Sequence, residues 1–422
     1  RRRWLATSLV VNLGLLATFK YLGFFTESAA ELLRWLGFRA DLPVLELVLP
    51  VGISFYTFQS LSYTLDVHGG RLERSRSPLD FALFVSFFPQ LVAGPIVRAV
   101  DLLPQLGVRR RLEEVRFRPL LVLFLAGFFK KAVVSDNVAP ACDAFFADPD
   151  AYDLAGTWFH MVLFSLQLYG DFSGYSDMAI ACAGMLGYEL RLNFDFPYLA
   201  SSLTDFWRRW HMSLSTWMRA YLYRPLRTRW TAAWGPLAAV VTTMVLGGLW
   251  HGSSWNFVIW GGLHGLYLGV ERFLKGRYGG AAFARSFGFK FGLGLLTYFL
   301  VNLTWVFFRA ESFDAAFTIF SALVGQGEQP VSTWAFSIFS VMQLLLAGVI
   351  IWAAPNALEL LEQFKKNVPD LPGGAVLPGT GGSMSLSFNN AVLTMAGLGV
   401  LFALAIFSLM TSGPYEFIYF QF

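Results

Sequence analysis

The sequence is poor in charged residues and nearly devoid of cysteine. Only 14% of its 422 residues are Asp, Glu, Lys or Arg, whereas a soluble globular domain carries about a quarter. Its two cysteines, Cys142 and Cys182, do not have the spacing of a zinc site or of a disulfide framework. The composition therefore excludes an ordinary soluble domain, and we expect no metal site, no bound cofactor and no nucleic-acid partner.

Apolar and aromatic residues are abundant instead. Hydrophobic residues make up 55% of the chain and aromatic residues 17%, with 43 Phe and 14 Trp. Such a composition is typical of a multi-pass protein whose partner is the lipid bilayer. Apolar runs near the spanning length of about 20 residues predict an all-helical bundle. They are residues 4–25, 42–65, 119–134, 156–168, 177–190, 235–249, 255–270, 287–308, 336–353 and 390–410.

Two segments depart from this pattern. Residues 78–97 are apolar but contain Pro89, Gly94 and Pro95, which favours a re-entrant or interfacial element over a continuous span. Residues 368–382 are rich in Pro and Gly and are expected to form a loop. We expect one membrane-embedded domain over residues 1–422, with N-terminal helices missing from this chain, because it begins "RRRWLATSLV" without Met.

The distribution of arginine and lysine predicts the orientation. Segments 71–118, 208–229 and 272–290 are rich in Arg or Lys and should be cytoplasmic. Residues 231–270 contain no Asp, Glu, Lys or Arg, so the two apolar runs in them should leave the cytoplasm and return. His251 lies at their junction among Gly247, Gly248 and Gly252. A broken backbone at that depth would have to line a cavity or be covered by protein.

Two histidines in this uncharged stretch call for different interpretations. An imidazole inside a membrane protein is often a packing residue bonded to a neighbouring helix. His264 in "GGLHG" fits that interpretation, because small neighbours indicate close helix contact. His251 is flanked by glycines and followed by the polar "SSWN", which favours a chemical role. A buried neutral imidazole can accept a proton and so act as a general base.

Residues 204–230 have the pattern of an amphipathic helix. An apolar stripe is formed by Trp207, Trp210, Leu214, Trp217 and Tyr221, and His211 lies at its edge, facing protein. Arg208 and Arg209 fall outside the stripe. They could touch lipid phosphates as an interfacial anchor or dock a phosphorylated cytoplasmic donor, and the two roles are compatible.

Polar residues at two other places could support catalysis. Asp171, Tyr175 and Asp177 are expected at the border of two apolar runs, where an aspartate could cap a helix or orient an imidazole. Ser253, Ser254 and Asn256 follow His251 and could stabilise an oxyanion or merely cap a helix. The sequence offers no Ser or Cys at a position that predicts a covalent acyl-enzyme.

Long motifs in the chain resemble the membrane-bound O-acyltransferases. They are "FFPQLVAGPIVRAVDLLPQL", "DFSGYSDMAI", "NFDFPYLASSLTDFWRRWHMSLSTWMRAYLYRPL", "LGGLWHGSSWNFVIWGGLHG" and the terminal "EFIYFQF". Within that family they are similar to the bacterial branch that acetylates alginate, peptidoglycan and other envelope polysaccharides. The resemblance implies a multi-pass protein of the cell inner membrane, with a ring of tilted helices around a central funnel and with re-entrant and amphipathic cytoplasmic helices.

The resemblance also implies roles for single residues and for partners. His251 matches the invariant histidine of the family, and His211 matches the second histidine in the arginine-rich motif. His251 would be the general base, while His211 would position the thioester or polarise its carbonyl. The donor would be acetyl-CoA or another acyl thioester, and an esterase-like acetyltransferase outside the cytoplasm would complete the transfer.

Two alternatives stay open at this point. Within the family, the chain could transfer D-alanine from a carrier protein to teichoic acid. From a different class, a proton-coupled transporter would also use intramembrane His and Asp, although the sequence shows no internal repeat and no ladder of carboxylates.

Overall fold

The computed structural model describes residues 2–39, 47–75, 77–279 and 286–326, together with 348, 399–400, 402–404, 406–410, 415 and 417. Within these residues every regular element is helical, which confirms the all-helical prediction. The predicted runs 336–353 and 390–410 lie mostly, and the predicted loop 368–382 entirely, outside the described residues. The α-helices in chain order are α1 (Arg2–Leu16), α2 (Leu22–Trp35), α3 (Ile53–His68), α4 (Pro78–Ser86), α5 (Ala99–Leu106), α6 (Phe117–Phe129), α7 (Asp136–Ala147), α8 (Leu154–Met185), α9 (Leu203–Arg209), α10 (Met212–Met218), α11 (Arg224–Arg229), α12 (Gly235–His251), α13 (Trp255–Tyr278), α14 (Phe287–Arg309) and α15 (Phe313–Leu323).

Two described helices are long and apolar enough to cross a bilayer. One is α14, and the other is the continuous helix Arg2–Trp35, in which α1 and α2 are joined by the π-helical turn Ala17–Tyr21. They contain the predicted spans 4–25 and 287–308. Helices α12 and α15 are shorter and also apolar. A second π turn, Lys130–Ser135, joins α6 to α7.

Helix α8 replaces two predicted elements. The expected border between runs 156–168 and 177–190 was wrong, because Ser173 and Gly174 lie inside one helix of 32 residues. Gly174 faces α6, where a Cβ built on it would lie 2.6 Å from the carbonyl oxygen of Gly127. Gly174 therefore allows the two helices to approach closely.

Helices α12 and α13 form an antiparallel hairpin with His251 at the end of the first helix. The backbone break predicted around His251 falls at Gly252, whereas Gly247 and Gly248 both belong to α12. A Cβ on Gly248 would lie 2.0 Å from the carbonyl oxygen of Phe257. Gly248 thus permits close packing between the two helices, whereas Gly247 faces the Met218 side chain of α10. The turn itself is only three residues long.

The amphipathic segment is interrupted at the histidine that it carries. A single helix over 204–230 was predicted, but α9 ends at Arg209 and α10 begins at Met212. His211 between them has a left-handed backbone with φ of 42°, which costs a non-glycine residue about 1–2 kcal/mol. The predicted apolar stripe is nevertheless buried except for the half-buried Trp207, and Trp217 stacks on Phe58 of α3 with ring centroids 3.8 Å apart. The segment packs into the aromatic core of the protein.

The broken character predicted for residues 78–97 is confirmed. Helix α4 ends at Ser86, and the chain continues through a 3₁₀ turn, Phe88–Gln90, before α5 begins at Ala99. Ile96 from this stretch donates its backbone N–H to Ser213 Oγ at 2.8 Å. The segment thus lies directly against the start of α10.

Candidate active site

The structure brings His211 and His251 together. Their ring centroids are 6.4 Å apart and the ring planes are inclined by 58°. His211 is fully buried and His251 is 6% exposed. One imidazole comes from the interruption between α9 and α10 and the other from the end of α12. Two histidines 40 residues apart in the sequence therefore lie next to each other in the protein interior.

Aromatic side chains surround the pair. The ring of His251 packs against Trp250, Trp260 and Phe308 at centroid distances of 5.0, 5.1 and 5.3 Å. Phe172 of α8 meets His211 edge to face at 4.6 Å. Such surroundings exclude bulk water and strengthen any electrostatic interaction formed between the rings and a substrate.

A lysine and a tyrosine from the N-terminal helix hold the end of α12. Lys20 Nζ donates to the carbonyl oxygens of Trp250 at 2.7 Å and His251 at 3.2 Å. Tyr21 donates its hydroxyl to the carbonyl of Leu249 at 2.7 Å. The last carbonyls of a helix have no intrahelical partner, so these two residues fix the turn that carries His251. The sequence analysis missed both, since they lie 230 residues away.

Asn193 is a second residue that the sequence analysis missed. Its Oδ1 lies 3.1 Å from His211 Nδ1 and 2.8 Å from Ser213 Oγ, and its Nδ2 donates to Ser176 Oγ at 3.0 Å. The only indication in the sequence was its place in the motif "NFDFPYLASSLTDF". The backbone of Asn193 also accepts the N–H of Met212, which helps to hold the unusual conformation of His211.

His264 has the hydrogen bonds of a packing residue. Trp207 Nε1 donates to its Nδ1 at 3.3 Å, and its Nε2 lies 3.0 Å from Thr304 Oγ1. Thr304 donates its own hydroxyl to the carbonyl of Val301, so it accepts the proton of His264 Nε2. Both ring nitrogens are thus used between helices, as predicted, and His264 joins α9 to α14.

The predicted aspartates lie beside lysines. Asp171 and Asp177 are inside α8, so the expected N-cap role was wrong. Asp177 accepts from Lys130 Nζ at 2.5 Å, and Lys131 Nζ lies 2.8 Å from Asp171 Oδ1. Both lysines belong to the π turn Lys130–Ser135. Tyr175 on the same helix packs against Phe417 from the C-terminal motif, at a centroid distance of 4.9 Å.

The other supporting residues are spread over different surroundings. Arg208 is exposed, whereas Arg209 forms an ion pair with Asp205 at 3.1 Å. Trp210 is buried and stacks on Phe206.

Ser253 is exposed, and Ser254 is half-buried without a side-chain cap bond. Asn256 donates its amide to the carbonyl of Ala310 at 2.8 Å, which ties α13 to the end of α14. The described residues contain no cluster of His, Cys, Asp or Glu able to hold a metal ion.

Comparisons with known proteins point to one family. The sequence profile of the membrane-bound O-acyltransferase family matches residues 70–304, which include both histidines of the site. The chain is 36% identical to a probable alginate O-acetylase of Azotobacter vinelandii over 439 aligned residues, covering 100% of this chain and 85% of that protein. It is 36% identical to a peptidoglycan O-acetyltransferase of Helicobacter pylori, covering 77% of this chain and 65% of that protein. A teichoic acid D-alanyltransferase of Streptococcus thermophilus is 27% identical over 52% of this chain and 56% of its own length.

Proposed function

Because the chain belongs to the membrane-bound O-acyltransferase family, we propose that it transfers an acetyl group from a cytoplasmic thioester to a hydroxyl of an envelope or extracellular polysaccharide. The observation that carries this proposal is the pair of buried imidazoles 6.4 Å apart. The alginate and peptidoglycan acetylases support the choice of acetyl and of a glycan. The donor would be acetyl-CoA or another acyl thioester, and the setting the inner membrane of the cell.

The proposed reaction is a direct displacement at the thioester carbonyl. The acceptor hydroxyl attacks the carbonyl carbon while His251 takes the hydroxyl proton. The carbon–sulfur bond then breaks, and His251 passes that proton to the departing thiolate, which leaves as the thiol. General-base catalysis of this kind contributes about 10² to 10⁴ in rate. The aromatic surroundings of His251 would add to this by keeping the reacting atoms in a dry, fixed arrangement. No acyl-enzyme intermediate is required.

The arrangement in the membrane is also part of the proposal. One membrane-embedded domain with tilted helices around a funnel would admit the thioester from the cytoplasm and the acceptor from the opposite side. The exposed Arg208 would meet the phosphate groups of a donor such as acetyl-CoA. An esterase-like partner on the outer side would assist this transfer to the polymer.

The competing functions are less well supported. Transfer of D-alanine rests on a relative with lower identity that covers only about half of this chain. A proton-coupled transporter would need a continuous series of titratable groups across the membrane. Here both candidate aspartates are occupied by ion pairs, Asp177 with Lys130 and Asp171 with Lys131.

Radiolabelled acetyl-CoA added to the purified protein in detergent, with alginate or peptidoglycan oligosaccharides as acceptors, tests the proposal. We expect acetyl esters on a glycan from the wild-type protein and none above background from His251→Ala. A second arm supplies D-alanyl carrier protein and teichoic acid. Label transfer only in that second arm, or proton flux in proteoliposomes without any ester formation, would replace the proposed function by one of the alternatives.

A further inference from the structure

We propose that Asn193 is a positioning residue that holds His211 in the tautomer with its proton on Nδ1, so that Nε2 presents a lone pair to the acceptor sugar. This inference rests on the proposed function and assigns His211 to the glycan side of the reaction. A polarising role toward the thioester carbonyl would require a proton on Nε2, and in a neutral ring the proposed tautomer has none there.

The orientation of the Asn193 side chain follows from the groups around it. Ser213 Oγ accepts the backbone N–H of Ile96, and its own hydroxyl proton is directed to Asn193 Oδ1 at 2.8 Å. The backbone N–H of Ser213 also points to Oδ1, at 3.3 Å. On the other side, the amide nitrogen donates to Ser176 Oγ. Two donors from Ser213 thus identify the atom facing them as the oxygen.

That oxygen determines where His211 carries its proton. Asn193 Oδ1 and His211 Nδ1 are 3.1 Å apart. If Nδ1 carried no proton, two acceptors would oppose each other at this distance in a fully buried place, without water to separate them. With a proton on Nδ1, the contact is a hydrogen bond, and a neutral imidazole then has an unprotonated Nε2.

His211 Nε2 is left available for a substrate. This atom is buried and has no hydrogen-bond partner among the residues that the structure describes. The ring cannot turn toward other partners, because Phe172 packs against it and Asn193 holds its opposite nitrogen. A buried acceptor without a partner is unfavourable, and a bound donor group would supply the missing hydrogen bond.

The chemistry of the two substrates determines which of them bonds to His211 Nε2. The reacting carbonyl of a thioester has no N–H or O–H group to donate, whereas a polysaccharide carries several hydroxyls on each sugar. We therefore assign to His211 Nε2 a hydrogen bond from a hydroxyl of the acceptor sugar. His251, 6.4 Å away between ring centroids, would take the proton of the hydroxyl that attacks.

A set of matched variants tests the positioning role. Asn193→Leu removes the acceptor for Nδ1, and we expect kcat to fall about 10- to 100-fold, as for other residues that orient a functional imidazole, with KM for acetyl-CoA unchanged. Asn193→Asp keeps an oxygen toward Nδ1 and should restore most of the lost rate. Asn302→Leu is the control for a buried asparagine, because its amide donates to the carbonyl of Tyr298 in its own helix. It should keep wild-type kcat.

A double variant and a spectroscopic measurement separate this inference from a merely structural role. In a His211→Ala background, Asn193→Leu should cause no further loss of kcat, and a full additional loss would overturn the proposal. Nitrogen-15 spectra of histidine-labelled protein, assigned by His211→Gln, should show a protonated Nδ1 in the wild type and a changed tautomer in Asn193→Leu. The opposite wild-type tautomer would refute the inference even if acetyl transfer is confirmed. Absence of acetyl transfer with the expected tautomer would instead refute the proposed function alone.

Discussion

Lys20 Nζ lies 2.7 Å from the carbonyl oxygen of Trp250, at the end of the helix that carries His251. The ammonium also donates to the carbonyl of His251 and to Ser54 Oγ. A positive charge at a helix C-terminus is favourable, and the π turn Ala17–Tyr21 directs this one inward. The first helix therefore takes part in building the site, although it lies outside the region that matches the family profile.

Replacing Lys20 should disturb catalysis more than it disturbs folding. Lys20→Met removes up to about 2 kcal/mol of interaction with the helix end and frees the backbone at His251. Because a displacement of about 1 Å can lower a rate 10²-fold, we expect kcat to fall at least tenfold. Lys20→Arg should regain part of the rate, and Tyr21→Phe, which loses one neutral hydrogen bond, should act more weakly. Wild-type kcat in a well-folded Lys20→Met protein would show that the contact is dispensable.

The ion pair between Lys130 and Asp177 should matter mainly for stability. Asp177→Asn leaves a buried ammonium without its carboxylate, a change that costs about 3–5 kcal/mol in buried pairs. We expect a lower yield of folded protein and a lower melting temperature in detergent. Replacing both residues, as Lys130→Met with Asp177→Leu, should recover most of the stability. If Asp177→Asn were fully stable but inactive, the carboxylate would act in the chemistry.

The two neighbouring arginines should differ in their effects. Arg208 is exposed, while Arg209 pairs with Asp205 and donates to the carbonyl of Asp195 at 3.3 Å. Arg208→Gln should raise KM for acetyl-CoA and make it less sensitive to salt, since a phosphate contact is lost. Arg209→Gln should instead lower stability with little change in KM. If KM for the donor were unchanged in both variants, the two arginines would act as interfacial anchors and not as a donor site.

Sequence reasoning found the helices and the two histidines but misjudged local interruptions. Gly248 belongs to the glycines that predict a broken backbone around His251, yet it lies inside α12 where that helix approaches α13, and Gly174 lies inside α8 where that helix approaches α6. Glycine permits both a turn and a close contact between helices, and only the position of the neighbouring helix shows which of the two applies. The break at His211 was missed for the converse reason, because the stripe from Trp207 to Tyr221 keeps its helical period across it.

Partners distant in sequence could not be predicted from local patterns either. Lys20 and Asn193 each touch a histidine-bearing turn from another part of the chain. A lysine in an apolar run or an asparagine in a loop can occur for many reasons, so neither residue marks a functional site by itself. Their assignment required the packing of the π turn Ala17–Tyr21 and of the segment before α9 against the site.

The comparison of His251 with His264 tests the assignment of the two histidines most directly. Both are buried in the same uncharged stretch and precede a glycine, but His264 bonds Trp207 and Thr304 whereas His251 lies beside His211. His264→Ala removes two interhelical hydrogen bonds, each worth about 0.6–2 kcal/mol, and should lower the melting temperature while the folded fraction keeps substantial activity. His251→Ala should stay close to wild type in stability and lose at least about 10² in acetyl transfer, as expected for the loss of a general base. Melting curves and kcat/KM measured on both variants decide the matter. Efficient transfer by folded His251→Ala would remove it from the mechanism, and equal loss in both folded variants would mean that His264 belongs to the same site.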